Sequence, residues 1–270
     1  MAAGTEEPPE GVRHYDYAEE VPSDIQKCAV RTMFYTLILI KLNIFSKYDH
    51  GIWMTDDAWF GVTPEPVAQY TSPLTDHERS KIAEHVATAP AVKTVLIDAF
   101  AGAGGNTIAF ALSGRWERIF AIEKDPEVLQ CAKHNAEVYG VANKIWWAQG
   151  DCFDIIKKRF ASMGKDAVIF ASPPWGGPGY TSDEVFNLST MQPYSLRDLY
   201  MPFSKITTEF ALYLPRTSNL NQLAKYAPQD KELQVTHYCT KGASKVGVPT
   251  TSTDRTYQVD VAAGYVRILR

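Results

Sequence analysis

Cysteine is sparse in this chain. Its four residues, Cys28, Cys131, Cys152 and Cys239, show no C-x-x-C spacing. That pattern excludes a cysteine-built zinc cluster and a disulfide framework, and it suits a reducing compartment. No metal site is expected. Long hydrophobic runs are missing too: LILI at 37–40, like every other apolar run, falls far short of the roughly 20 apolar residues that cross a bilayer. The first ten residues are acidic and proline-containing, without the apolar core of a leader peptide. The expectation is a soluble intracellular protein with no membrane role. A basic excess is also lacking, since 27 Lys and Arg stand against 31 Asp and Glu for a net charge of −4. No broad positive field exists to grip a nucleic-acid backbone, so any such substrate must be held by a local pocket.

What is present is enough chain, 270 residues, for a full-sized core. Residues 1–23 are rich in Glu, Pro and Gly and read as a disordered acidic tail. Residues 24–46 are apolar on nearly all sides and read as a buried helix or a strand. KYDHG at 47–51 reads as a turn, and Pro64 and Pro66 are expected to break any regular element in the aromatic-rich stretch that follows. Residues 76–88 form an amphipathic helix, with Asp76 as its N-cap. Together 24–90 make an N-terminal helical lobe, and 91–270 the core domain. In the core, strands at 94–100, 118–123, 144–150, 166–171 and 210–214 alternate with helices at 104–113, 126–139, 153–163 and 196–208. Residues 233–240 and 257–265 read as a terminal antiparallel pair. The fold class is therefore α/β, a doubly wound, mostly parallel seven-stranded sheet.

Two loops carry the chemistry. The first strand runs into DAFAGAGGNT at 98–107. Glycines between a strand and a helix let a ligand approach the backbone closely. A Walker loop needs Gly-Lys-Ser/Thr, and no lysine is present. A G-x-G-x-x-G fingerprint needs glycine where Thr107 stands. The acid precedes the glycines, at Asp98, where it repels phosphate and attracts an ammonium group. A ligand with a cationic amino-acid tail and a ribose fits better: S-adenosylmethionine. Asp98 then faces the methionyl end, directly or through water. Glu123, ending the second strand, accepts the ribose hydroxyls, and Asp151 takes the adenine 6-amino hydrogen. Phe100, Gly102, Gly104, Asn106 and Thr107 complete the cofactor loop.

The second loop is ASPPWGGPGY at 171–180. Two prolines cannot extend a ladder, so the backbone must leave the sheet there, at the carboxyl end of a strand, where open α/β sheets place ligands. An exocyclic amine on a base is a poor nucleophile because its lone pair is delocalised. Hydrogen-bond acceptors on the amine and alignment with the sulfonium methyl both help. The Ser172 hydroxyl and the carbonyls of Ser172 and Pro173 are the acceptors, and Trp175 offers a face for stacking. A positively charged base gains a cation–π contribution of about 1–2 kcal/mol there. No histidine or cysteine lies in the loop, so no covalent intermediate is expected.

DAFAGAGGNTIAFA, AIEKDP, HNAEVYG, QGD and above all SPPWGGPGY, with SKYDHGIWMTDDAWFGVTPEPVA upstream, resemble the trimethylguanosine synthase family across residues 46–220. The resemblance implies a class I S-adenosylmethionine-dependent methyltransferase. Its reaction would be a two-step methylation of the 2-amino group of the 7-methylguanosine cap of small nuclear and nucleolar RNAs, giving 2,2,7-trimethylguanosine in the nucleus. By motif matching, Trp175 stacks on the cap, Ser172 and Pro174 line the base, and Lys47 and Arg216 hold cap phosphates. A monomer is expected. Two features depart from the family: residues 28–44 are apolar where a helix with aromatic and basic residues is usual, and Thr217 follows Pro215-Arg216 where Asn is usual. Two other readings stand beside this one. They are a methyltransferase for an exocyclic amine of an internal RNA or DNA base, and a catalytically impaired cap-binding adaptor.

Overall fold

Val95–Asp98 (β3) is buried at all four positions, as a central strand covered on both faces must be. A computed structural model of the chain describes residues 13–14, 44–55, 58–68, 82–87, 89, 91–163, 166–177, 184–215, 217–226, 234–238 and 263–269. Within it β3 is flanked by Arg118–Glu123 (β4) and Ala167–Ala171 (β6), both parallel to it. Ile145–Gln149 (β5) lies outside β4, and Glu209–Pro215 (β7) outside β6. Ala263–Leu269 (β9) inserts antiparallel beside β7, and Gln234–Tyr238 (β8) closes that edge. The order is β5-β4-β3-β6-β7-β9-β8, the seven-stranded doubly wound sheet that the sequence implied.

Crossover connections place helices on both faces. Gly105–Leu112 (α4) and Pro126–Val138 (α5) follow β3 and β4 and pack on one face with Ile82–Ala87 (α3). Cys152–Arg159 (α6) and Leu196–Ile206 (α7) cover the other. Caps fix where these helices begin. Asp125 accepts from the N–H groups of Glu127 and Val128, and Ser195 and Asp198 form a reciprocal capping box.

The predicted lobe shares its core with this domain. Phe45, Tyr48, Ile52, Met54 and Ala68 sit in one hydrophobic cluster with α3, α4 and α5. The 47–51 turn is a 3-10 turn, Tyr48–His50, closed by Gly51 at φ 87°. Trp53–Met54 (β2) pairs with Arg13–His14 (β1), so a strand lies inside the stretch expected to be a disordered tail. Pro66 does not prevent a helix. It is the second residue of Glu65–Ala68 (α2), where a missing N–H costs nothing. Ala58–Gly61 (α1) is a further short helix. The expected cap at Asp76 and nearly all of 24–46 lie outside the described residues. Of the last expected strand, residues 257–262 lie outside the described residues, and the described part, Ala263–Leu269, pairs with β7. Leu220–Ala224 (α8) was not foreseen.

Candidate active site

The strand order reverses between β3 and β6, which opens a crevice at their carboxyl ends. Asp98 is in register with Phe170, and the Ala99 N–H donates to the Phe170 carbonyl at 2.8 Å. The glycine loop after β3 and the Ser172–Trp175 loop after β6 therefore leave the sheet side by side.

The glycine loop is braced from below. Asp98 is fully buried. Its Oδ2 accepts from Thr107 Oγ1 at 2.6 Å and its Oδ1 from the Phe100 N–H at 3.4 Å. Burial pushes its pKa up to about 7 against the pull of these two bonds. Asp98 thus shapes the loop from inside, and contact with a methionyl ammonium has to pass through the loop itself. Gly104 has φ 95°, and a Cβ there would lie 3.4 Å from Ala132. The side chain is missing where loop and α5 touch.

Glu123 ends β4 and turns to the same loop. Its Oε2 accepts from the Gly102 N–H at 2.9 Å, and its Oε1 from the N–H groups of Lys124 and Asp125 at 2.8 and 2.9 Å. A carboxylate has about four acceptor positions. A ribose diol taking two of them therefore displaces one backbone donor. Asp151 caps α6 through Oδ1, accepting from Phe153 and Asp154, which leaves Oδ2 for an amino group.

The cofactor fit rests on one orphan. Asn106 is 7% exposed and its Nδ2 donates to Thr63 Oγ1 at 2.9 Å, while Oδ1 is buried with no hydrogen-bond partner among the described residues. An ammonium donor at the α4 entrance satisfies it. At the other end, Phe100, Phe153 and Tyr194 gather beside Asp151, with ring centroids 6.3, 5.7 and 5.1 Å apart. Burial, then the charges of Asp151, Cys152 and Glu123, raise the Tyr194 pKa. This apolar wall suits an adenine. Tyr194 escaped the sequence reading because it arrives from the far end of the substrate loop, about twenty residues after Trp175.

In the substrate loop, Ser172 is half-buried, Pro173 buried and Pro174 exposed. The Ser172 hydroxyl has no hydrogen-bond partner among the described residues. Trp175 is half-buried; its Nε1–H donates to the Tyr213 carbonyl at 3.2 Å, and its ring lies 5.7 Å from that of Tyr213. The indole is anchored by its edge to β7. Residues 178–180 lie outside the described residues, as does Arg216. Both neighbours of Arg216, Pro215 and Thr217, stand at the carboxyl end of β7 beside Trp175's anchor.

Lys47 is not brought to this edge. Its Nζ donates to the Val138 carbonyl at 3.2 Å and lies 5.3 Å from the Tyr139 ring. Val138 ends α5, twelve residues or about 18 Å from the helix start beside Glu123. A carbonyl-rich helix C-terminus attracts an ammonium group, which explains the placement and removes Lys47 from the phosphate-holding set.

Asn135, within HNAEVYG, has a role that its sequence context does not mark. It is fully buried, its Oδ1 accepting from the Trp53 N–H at 2.8 Å and its Nδ2 donating to the Trp53 and Ala103 carbonyls, each at 2.9 Å. One amide ties the lobe, α5 and the glycine loop together. The two buried thiols, Cys131 and Cys152, are both pushed up by burial, Cys131 to about 12. Neither is a nucleophile at neutral pH.

Residues 93–249 match the model of the RNA cap guanine-N2 methyltransferase family. A trimethylguanosine synthase from Schizosaccharomyces pombe is 34% identical over 211 residues, which cover 76% of this chain and 80% of that protein. A trimethylguanosine synthase from Saccharomyces cerevisiae is also 34% identical, over 67% of this chain and 54% of its own length. A solved RNA methyltransferase from Salinibacter ruber, in complex with S-adenosyl-L-homocysteine, aligns at 16% identity and a TM-score of 0.40, over 73% of this chain and 93% of its own. The family match spans the glycine loop, all three acids and the Ser172–Trp175 loop, so the chain belongs to the RNA cap guanine-N2 methyltransferase family, enzymes that use S-adenosylmethionine.

Proposed function

We propose that this chain methylates the 2-amino group of a 7-methylguanosine cap twice, converting capped small nuclear and nucleolar RNAs to the 2,2,7-trimethylguanosine form, in the nucleus. The observation that carries the reading is the adjacency of the glycine loop and the Ser172–Trp175 loop on neighbouring strands β3 and β6. S-adenosylmethionine supplies an electrophilic methyl group. Asn106 Oδ1 and the loop held by Asp98 receive its methionyl end, Glu123 its ribose, and Asp151 with Phe100, Phe153 and Tyr194 its adenine. Gly102, Gly104 and Thr107 form the backbone cradle between them.

On the substrate side, Trp175 is fixed by its Nε1–H bond to β7. Stacking on this held indole therefore orients the cap at little further ordering cost. The positive charge of a 7-methylated guanine strengthens the stack. Pro174 lines the base, and the Ser172 hydroxyl with the Ser172 and Pro173 carbonyls accepts hydrogen bonds from the 2-amino group, localising its lone pair. After transfer the amine nitrogen carries one extra proton, which leaves to water. Arg216, next in sequence after Pro215, holds the cap phosphates.

The test is methyl transfer from labelled S-adenosylmethionine to matched short RNAs bearing a 7-methylated or an unmethylated guanosine cap. Label entering the 7-methylated cap alone is expected. Equal labelling of both RNAs, or label in internal nucleotides, overturns the reading in favour of internal-base methylation. No labelling of either, with no cofactor binding, leaves the adaptor reading.

A further inference from the structure

Beside the substrate loop, a cavity of about 270 Å3 opens between the start of α7 and the end of α8. Its size approaches the lower limit of about 300 Å3 for small-ligand sites. Ser189, Ser195, Arg197, Gln222, Lys225 and Tyr226 line it. We infer that this cavity receives the RNA chain that follows the cap, with Arg197 and Lys225 on its phosphates and Tyr226 against a base. The inference rests on the cap-methylation reading above.

Four observations support it. First, the floor is rigid. Gln222 Nε2 donates to Asn187 Oδ1 and Ser189 Oγ at 2.6 and 2.9 Å, and its Oε1 accepts from the Leu188 N–H at 2.8 Å. Second, Arg197 and Lys225 are exposed, and neither makes a hydrogen bond or close ion pair with a described residue. The neighbouring carboxylate, Asp198, accepts from Ser195 N–H and Oγ at 2.9 and 2.7 Å within the α7 cap. Third, Tyr226 is half-buried and set against Tyr200 at 4.4 Å. That arrangement holds an aromatic surface of the kind on which single-stranded bases stack.

Fourth, the cavity continues from the cap-holding residues. Its walls belong to the loop that carries Trp175 and to the stretch that follows Arg216. These two segments are joined where the Phe186 N–H donates to the Thr217 carbonyl at 2.8 Å and the Asn219 N–H to the Phe186 carbonyl at 3.0 Å. A Cβ at Gly176 would lie 3.7 Å from Gln192, so the Trp175 turn touches the segment leading into Ser195. An RNA leaving Trp175 along these joined segments meets this cavity next. In a chain of net charge −4, a local cationic pair is the means left for holding a backbone.

The test compares a 7-methylguanosine cap dinucleotide with a 7-methylguanosine-capped single-stranded RNA of about ten nucleotides, using the unaltered protein and an Arg197→Glu/Lys225→Glu double variant of matched melting temperature. The expected result is a KM for capped RNA raised about tenfold in the variant, with a salt dependence shallower by about 1.4 in log–log slope, two phosphates' worth. The KM and kcat for the dinucleotide stay as they were. Equal KM values for capped RNA in both proteins overturn the inference alone, as does an equal loss on the dinucleotide. Absence of transfer to the dinucleotide by the unaltered protein overturns the cap reading itself, and the inference with it.

Discussion

Asp98 carries the sharpest residue-scale consequence. Burial is the first cause of its rise to about 7, with Glu123's charge adding and Thr107 and the Phe100 N–H opposing. The folded value lies above the ordinary 3.8, so the native state holds a proton that the unfolded chain releases. The stability this confers is fully present below the ordinary value and is lost as pH rises through about 7. A cationic methionyl group favours the ionised carboxylate, so cofactor binding should release a proton and tighten as pH climbs across that window. Calorimetry of S-adenosylmethionine binding in buffers of different ionisation enthalpy measures the release. Asp98→Asn should abolish it and weaken binding, and a proton count of zero in the unaltered protein would contradict the assignment. For Trp175, replacement by alanine should lower affinity for the 7-methylated cap by about 10- to 100-fold, the range expected from lost stacking and cation–π attraction. Titration of the cap dinucleotide by calorimetry checks it, and phenylalanine at this position should restore part of the affinity.

Among elements, the Asn135 amide joins the N-terminal lobe to the glycine loop, beside the Asn106–Thr63 bond. Asn135→Ala leaves the Trp53 N–H and the Trp53 and Ala103 carbonyls without their buried partner. The cost should be about 2–4 kcal/mol in urea unfolding, together with weaker cofactor binding because Ala103 lies in the loop. Unchanged cofactor affinity would mean that the loop keeps its shape without the lobe. Nothing in a linear reading marks this role, since Asn135, Trp53 and Ala103 meet only once α5 packs against β2 and the loop. The same limit explains Tyr194 and Lys47. Each side chain's place was set by an element distant in sequence, an aromatic wall in one case and the end of α5 in the other. The core alternation was legible because its signals are local: apolar runs such as Ala167–Ala171, an N-cap such as Asp125, and prolines that stop β6 at Ala171. α8 has an N-cap at Asn219 and apolar residues at 220, 223 and 224, but its five residues are too few for a repeating period to mark it. The two loops were legible because glycines and paired prolines constrain the backbone wherever they stand.

At the scale of the whole molecule, the sheet gathers residues from five strands' ends onto one edge: Asp98, Glu123, Asp151, Ser172 and the stretch beyond Pro215. A net charge of −4 means that this edge, not a general field, selects the substrate. Binding of the cap dinucleotide should therefore weaken only modestly with added salt, while capped RNA weakens more steeply through the α7–α8 cavity. The measurement that bears most directly on the central claim is mass spectrometry of a 7-methylguanosine cap analogue after incubation with the protein and S-adenosylmethionine. Trp175→Ala and an unmethylated cap run alongside it, and a thermal-shift control reports cofactor binding. The account predicts a product carrying two added methyl groups from the 7-methylated cap, little from the unmethylated one, and strongly reduced conversion in the variant. Cofactor binding without any methyl gain on the 7-methylated cap would contradict it.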